Sequence, residues 1–298
     1  MRPSLEARLY GLLLVVAYEI LTLPLSLYLY RLEQRYEVSS QSLRSWLADQ
    51  AKALAISALY VAGLAWVVYR LIEANAHLWW VMAAMLAAGL TALITLLAPA
   101  LLVPIFFKVK PLDRPELTTR LLDLAQRAGV SVMGIYELGL GTKTKGAYAA
   151  LAGAGPSTRI LLSDSMLADY TEDEIEVVLA HELAHHAHGD VARSLVLESV
   201  LLLVAAGVAA AVLNMAWQPL GLSGAADPAG LPLLALVSGA VLLLSTPLVN
   251  AFSRANERRA DAFALALTCF VLLMAWKAPP WIAVLVAAAG GVLLNLTR

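Results

Sequence analysis

Four of the chain's five histidines fall within "LAHELAHHAHGD", residues 179 to 190, around one glutamate. Side chains four residues apart on a helix stack on one face, so His181 and His185 can both bring a ring nitrogen to one zinc ion at about 2.0–2.1 Å. Glu182 leans toward the same ion without ligating it, where it can take a proton from an activated water and hand it to a leaving amine. His188 also lies on this face, but it is seven residues from His181, roughly 10 Å along the axis, too far to share an ion with it. His185 with His188 is the rival pair, and it lacks a glutamate placed like Glu182. His186 projects to the flank, which suits a structural role. The bland alternative is a solvated, histidine-rich helix face that binds nothing.

A catalytic zinc needs a third protein ligand and one open position. The long pattern with a further histidine six residues on fails here, because position 191 is Val and the glycine falls at 189. The third ligand must then come from another helix, and two glutamates compete for it. Glu198 lies about 25 Å from His181 if the helix runs on, so it would need a sharp break at Gly189 and Asp190. Glu257 follows an outward and a return passage of two apolar runs, which brings an antiparallel helix back to the same mouth, and it is the preferred ligand. In "ANERRAD", Asp261 shares the face of Glu257 and is placed to hold a ligating histidine by its second ring nitrogen. Read without the zinc motif, the same segment is an ordinary charged helix end.

The elements that must position these residues sit in an apolar chain. Of 298 residues, 60% are hydrophobic and 14% charged, which marks a membrane protein. The net charge of -1 and the lack of a basic run interleaved with aromatics exclude a nucleic-acid partner. The single cysteine, Cys269, excludes an internal disulfide and a cysteine-based zinc site. Runs long enough to cross a bilayer occur near 9–30, 53–72, 78–107, 195–216 and 231–250. The first ends in "LTLPLSLYLY", with bulky tyrosines and no small-residue cleavage pattern, and reads as a retained anchor. Glu19 and Glu198 fall within spans and are expected to face the bundle interior or water.

Lys and Arg mark the cytoplasmic loops. They cluster in the 31–52 loop, in 108–193 and in "SRANERRAD", and are missing from the 217–230 loop. The N-terminus and the 217–230 loop are therefore expected outside, and the polar segments inside. Within 108–193, "ELTTRLLDLAQRAGV" (116–130) reads as an amphipathic helix ended by Gly129. Residues 146–165 read as a β-hairpin with its turn at Gly153 to Ser157, so a short sheet is expected. Thr171 and Glu174 form a capping box, so the histidine helix should start near Glu172 and stop near Gly189. The organisation expected is a membrane region over 1–107, a cytoplasmic segment over 108–193, two spans over 194–250, a ligand helix over 251–268 and an apolar tail over 269–298. That tail holds the second of two short apolar stretches split by "KAPP", which read as a hairpin or one extra span.

These residues together resemble the CAAX prenyl protease type I family of integral-membrane zinc metalloproteases, the membrane gluzincins. The likeness runs through "RLEQRYEVSSQSLRSWLADQAK" (31–52), "PALLVPIFFKVKPLDRPEL" (99–117), "STRILLSDSMLADYTEDEIEVVLAHELAHH" (157–186) and "NAFSRANERRADAFAL" (250–265). It implies a mainly α fold, a multi-span transmembrane helical bundle with a small zincin-like α+β catalytic portion. It implies one zinc ion (Zn2+) per chain on His181, His185 and Glu257, with Glu182 as general base and acid and Asp261 behind a ligand. The activity implied is that of a zinc metalloendopeptidase acting on peptide or protein substrates at the lipid bilayer, prenylated tails among them. The setting is a multi-pass protein of a cell inner membrane or the endoplasmic reticulum, with its catalytic side cytoplasmic.

The chain departs from the family pattern at two places. On the edge strand beside the zinc it has Gly146, Ala147 and Tyr148 where the family has Asn-Ala-Tyr or Asn-Ala-Phe. These three residues are expected to bind the substrate backbone as an added strand, without the asparagine side chain. After "ADAFAL" the family continues into a soluble segment carrying a histidine and an arginine, whereas this chain turns apolar and has no histidine beyond His188. Reduced activity is expected, since loss of one electrophilic helper costs ~100-fold or more in rate. A zinc-binding but proteolytically weak membrane scaffold or quality-control binder is the alternative function. A transporter lined by Glu19 and Glu198 is a third reading, and it leaves the ordered zinc motif without a task.

Overall fold

The structure, a computed structural model, describes residues 3–101, 103–141, 143–153, 158–274 and 286–287. The helices are α1 (Pro3–Arg35), α2 (Leu43–Ala74), α3 (Trp79–Leu101), α4 (Val103–Phe106), α5 (Pro115–Arg127), α6 (Asp164–Asp169), α7 (Glu172–Ala187), α8 (Asp190–Ala216), α9 (Leu231–Leu244) and α10 (Thr246–Met274). Among the described residues there are also four short strands: β1 (Lys108–Pro111), β2 (Gly134–Gly139), β3 (Ala149–Ala152) and β4 (Arg159–Ser163). The chain divides into two compact units, one of residues 1–93 and 195–247 and one of residues 94–194 and 248–298.

The first unit is helical and apolar. Among the described residues four helices are long and apolar enough to cross a membrane, Leu9–Arg35, Leu43–Ala74, Trp79–Leu97 and Asp190–Ala216. The fifth expected span, 231–250, is not one straight helix: α9 stops at Leu244, and the pair Pro228–Leu244 and Thr246–Ala266 bends by 44°. Pro247 explains the break, because its ring clashes with the carbonyl four residues back and it offers no N–H to the helix ladder. The unit packs around Tyr69, Ile72, Trp79, Ala209, Leu213 and Leu234. The Tyr69 hydroxyl donates to the carbonyl of Asp227 at 3.1 Å, tying α2 to the loop before α9. Close approach of α1 to α2 uses Gly11, where an added Cβ would lie 3.3 Å from the Cβ of Ala65. A mostly apolar cavity of about 520 Å³ opens between these helices, with Glu19, Ser57 and Ser238 among its lining residues. Glu19 thus faces the bundle interior, whereas Glu198 is exposed rather than packed inside.

The second unit holds a four-stranded sheet in the order β1-β2-β4-β3. β1 and β2 are antiparallel, β2 and β4 parallel, and β3 and β4 antiparallel. The expected hairpin is present as β3 and β4, shorter than 146–165, and residues 154–157 of its turn lie outside the described residues. Leu117, Leu121, Leu124 and Ala125 recur at helical spacing on α5, and Ile175, Leu179 and Leu183 do so on α7. Both stripes bury against Ile160 and Leu162 of β4 in one core. α5 ends where Gly129 takes φ 73°, a left-handed conformation that favours glycine. α10 runs through the expected ligand segment to Met274, and the rest of the apolar tail, apart from 286–287, lies outside the described residues.

Candidate metal centre

α7 begins with both halves of the capping box in place: the Thr171 side chain accepts from the Glu174 N–H, and the Glu174 carboxylate accepts from the Thr171 N–H at 2.8 Å. The Thr171 hydroxyl also donates to this carboxylate at 2.8 Å, and the backbone and hydroxyl bonds from Thr171 together hold the Glu174 carboxyl below its ordinary value. The helix ends as expected, with His188 as cap and Gly189 at φ 66°. Between these ends, burial of Ile175, Leu179 and Leu183 fixes the rotation of α7. His181 and His185, on another face, stay half-buried at 25% and 23% side-chain exposure, open enough to receive a ligand.

α10 supplies the opposing groups. Glu257 Oε2 lies 3.2 Å from His181 Nε2 and 3.6 Å from His185 Nε2, and the two histidine Nε2 atoms are 3.2 Å apart. Donors at 2.0–2.1 Å from a tetrahedral ion sit about 3.3–3.4 Å from one another, so this triangle has the size a zinc ion requires. Among the described residues, His181, His185 and Glu257 are the group that could hold a metal. Glu198, the competing glutamate, is not in it. His188 is turned elsewhere, its ring edge-on to Phe263 at 5.6 Å, and its Nδ1 is buried with no hydrogen-bond partner among the described residues.

The far side of each imidazole is held by a carboxylate. His181 Nδ1 lies 2.9 Å from Asp261 Oδ1, and His185 Nδ1 lies 2.9 Å from Asp190 Oδ2. With Nδ1–H donating to the acid, each Nε2 keeps its lone pair free for a cation. Glu182 follows His181 on α7, and its carboxyl feels the charges of His185, His181 and Glu257. Burial raises its carboxyl above the ordinary value, His185 and His181 pull it back, and Glu257 adds to the rise. Glu257 and Asp261 are themselves exposed at 52% and 46%, so one side of the triangle is open to solvent.

Gly146, Ala147 and Tyr148 precede β3 rather than forming part of it. The Tyr148 N–H donates to Ser163 Oγ at 2.9 Å, its carbonyl accepts from the Ser163 N–H at 2.8 Å, and the Gly146 carbonyl accepts from Ser165 Oγ at 2.6 Å. Alternation along the extended chain then turns the backbone groups of Ala147 and Ala149 away from β4, toward the open edge of the sheet. β3 itself packs against α7. A Cβ on Gly146 would fall 2.6 Å from the Tyr148 ring, so the glycine is what lets that ring fold over it.

Asp190 was invisible to spacing arguments. It lies five residues beyond His185, which on a continuous helix is a different face, and only the left-handed turn at Gly189 brings it back. Arg259 was missed for a related reason, since its partner is that same acid.

The family model described as peptidase family M48 matches residues 111–269, more than half of the chain. The chain belongs to peptidase family M48. The M48 match takes in the histidine helix, Glu257 and Asp261, and a second model, described as "CAAX prenyl protease N-terminal, five membrane helices", matches residues 4–108. Among relatives, the chain is 29% identical over 253 residues to the uncharacterized metalloprotease YhfN of Bacillus subtilis, covering 84% of this chain and 59% of that one. It is 26% identical over 170 residues to CAAX prenyl protease 1 of Saccharomyces cerevisiae, covering 56% of this chain and 37% of the relative. The chain thus spans less than two thirds of the length of these relatives. The crystal structure of S. mikatae Ste24p has the same fold, with a TM-score of 0.74 at 20% identity over 88% of this chain and 66% of that one.

Proposed function

We propose that this M48 chain is a membrane-embedded, zinc-dependent endopeptidase that cleaves peptides or proteins presented at the bilayer. The observation that carries the reading is the triangle of His181, His185 and Glu257 donor atoms, with edges of 3.2, 3.2 and 3.6 Å. His181, His185 and Glu257 would hold the ion, and the donor set of two imidazoles and one carboxylate suits zinc. Bound there, zinc would supply Lewis acidity to activate water and polarise the scissile carbonyl.

The residues do the rest. Asp261 and Asp190 orient the two imidazoles through Nδ1. Glu182 takes the proton of the attacking water on its carboxylate and passes it to the leaving amine nitrogen, so the carboxylate is restored at the end of each turnover. The run Gly146, Ala147 and Tyr148, continued by β3, receives the substrate backbone as an added strand, with Ala147 offering the outward N–H and C=O. The Lys and Arg distribution supports a cytoplasmic site, and the names of the CAAX prenyl protease relatives make prenylated C-terminal tails the first substrates to try.

The test is a comparison of the purified full chain with Glu182→Gln. Both proteins should bind one zinc, and cleavage of a membrane-anchored peptide should fall ~1000-fold or more in the variant. Equal cleavage by the two proteins would remove the assignment.

A further inference from the structure

Asp190 is the most deeply buried charged group at the site, 6% exposed, and its two oxygens face different elements. Oδ2 lies 2.9 Å from His185 Nδ1 on α7. Oδ1 lies 3.2 Å from an Arg259 guanidinium nitrogen on α10 and 3.6 Å from Arg193 one turn along α8. Arg259 in turn donates to the Asn256 side chain, and Asn256 is itself buried. Asn256 and Arg259 flank Glu257 on α10. A path of hydrogen bonds therefore joins the ligand on α7 to the residues on either side of the ligand on α10, through one carboxylate.

Resting on the zinc reading above, we propose that Asp190 is a positioning residue that sets both halves of the metal centre. Its Oδ2 fixes the His185 ring with Nε2 bare. Its Oδ1 holds Arg259, and through it the axial position of α10 that lets Glu257 reach the two histidines. A buried carboxylate facing only one arginine would be an ordinary helix tie. What separates Asp190 from that case is the short bond to a ligand ring on its other oxygen. Asp261 does a smaller task, since it is exposed and touches His181 from the same helix that carries Glu257.

The test uses the full chain in detergent, with Asp190→Ala, Asp190→Asn and Arg259→Gln. Zinc affinity is measured by competition with a chelating dye, the coordination sphere by the visible spectrum of the Co2+-loaded protein, and folding by thermal unfolding of the metal-free protein. Asp190→Ala is expected to weaken zinc about 10–100-fold and to change the Co2+ bands, because His185 is no longer held. Asp190→Asn still offers an oxygen to His185 Nδ1, so it should restore the Co2+ bands while losing affinity. That loss should match the loss in Arg259→Gln, and the double variant Asp190→Asn with Arg259→Gln should be no weaker than either single one. Wild-type zinc affinity and Co2+ bands in Asp190→Ala would overturn the inference alone. So would an affinity loss wholly matched by lower stability of the metal-free protein with unchanged bands. A wild-type protein that folds and takes up no zinc would overturn the zinc reading, and this inference with it.

Discussion

Each imidazole at the centre has its own acid, and the two acids come from different helices. Asp261 sits four residues beyond Glu257 on α10, so one helix turn would provide both the proposed metal donor and the support for His181. Asp261→Asn is expected to lower zinc affinity about 10-fold while leaving the metal-free protein folded, as a dye competition would read. Glu257→Gln should lose most of the bound zinc, and Glu198→Gln should lose none, when metal content is counted after gel filtration. A Glu198→Gln protein that loses its zinc would shift the third-ligand role away from Glu257. The residues legible in the sequence were those whose spacing is local: His181, Glu182 and His185 by the helical period, and Asp261 relative to Glu257 by the same rule. Asp190 was not, because its contact with His185 depends on one positive φ at Gly189, which no periodicity encodes. The triangle itself could be argued only from the expected return of α10, and its distances needed coordinates.

At the level of elements, α7 is fixed by a cap at one end and a buried stripe along its length. Thr171→Ala should destabilise the unit by about 1 kcal/mol in thermal or denaturant unfolding. Glu174 adds a dependence on acidity. Its carboxyl titrates below its ordinary value in the folded chain, so the stabilisation is present above the unfolded value and is lost as pH falls through the folded one. In Glu174→Gln the decline of stability with acidification should be shallower. Leu179 is fully buried between α5 and β4, and Leu179→Ala is expected to cost about 2–5 kcal/mol. α5, α7 and the β3–β4 pair were legible because each carries its own signal in period or cap. β1 and β2 were not: β1 is only "KVKP", with both lysines and the proline exposed, and its strand character comes from pairing with β2. The break between α9 and α10 was overlooked because hydropathy runs unbroken through Ser245, and only Pro247 marks it.

As a whole the molecule is a multi-pass membrane protein, and its sidedness can be read directly. With Cys269→Ser as background, a cysteine placed at the exposed Gln218 should react with an impermeant maleimide in intact cells, and one at the exposed Gln126 should react only after lysis. Labelling of both in intact cells would contradict a cytoplasmic metal centre. The membrane character was legible from composition and four of the five apolar runs from their length, since hydrocarbon thickness leaves little freedom there, whereas the fifth is a bent pair of helices. The donors of the centre lie 76 residues apart in the chain, with His181 on α7 and Glu257 on α10. An ion held by both would therefore act as a cross-link that closes a long loop, and its affinity would be written into the stability of everything between. Stripping the ion should release that staple, exposing α10 to proteases that leave the loaded protein intact. At an ion concentration a thousand times Kd the melting transition should reflect about 4 kcal/mol of added stability. Zinc supply would then govern how long this protein survives as well as how fast it works.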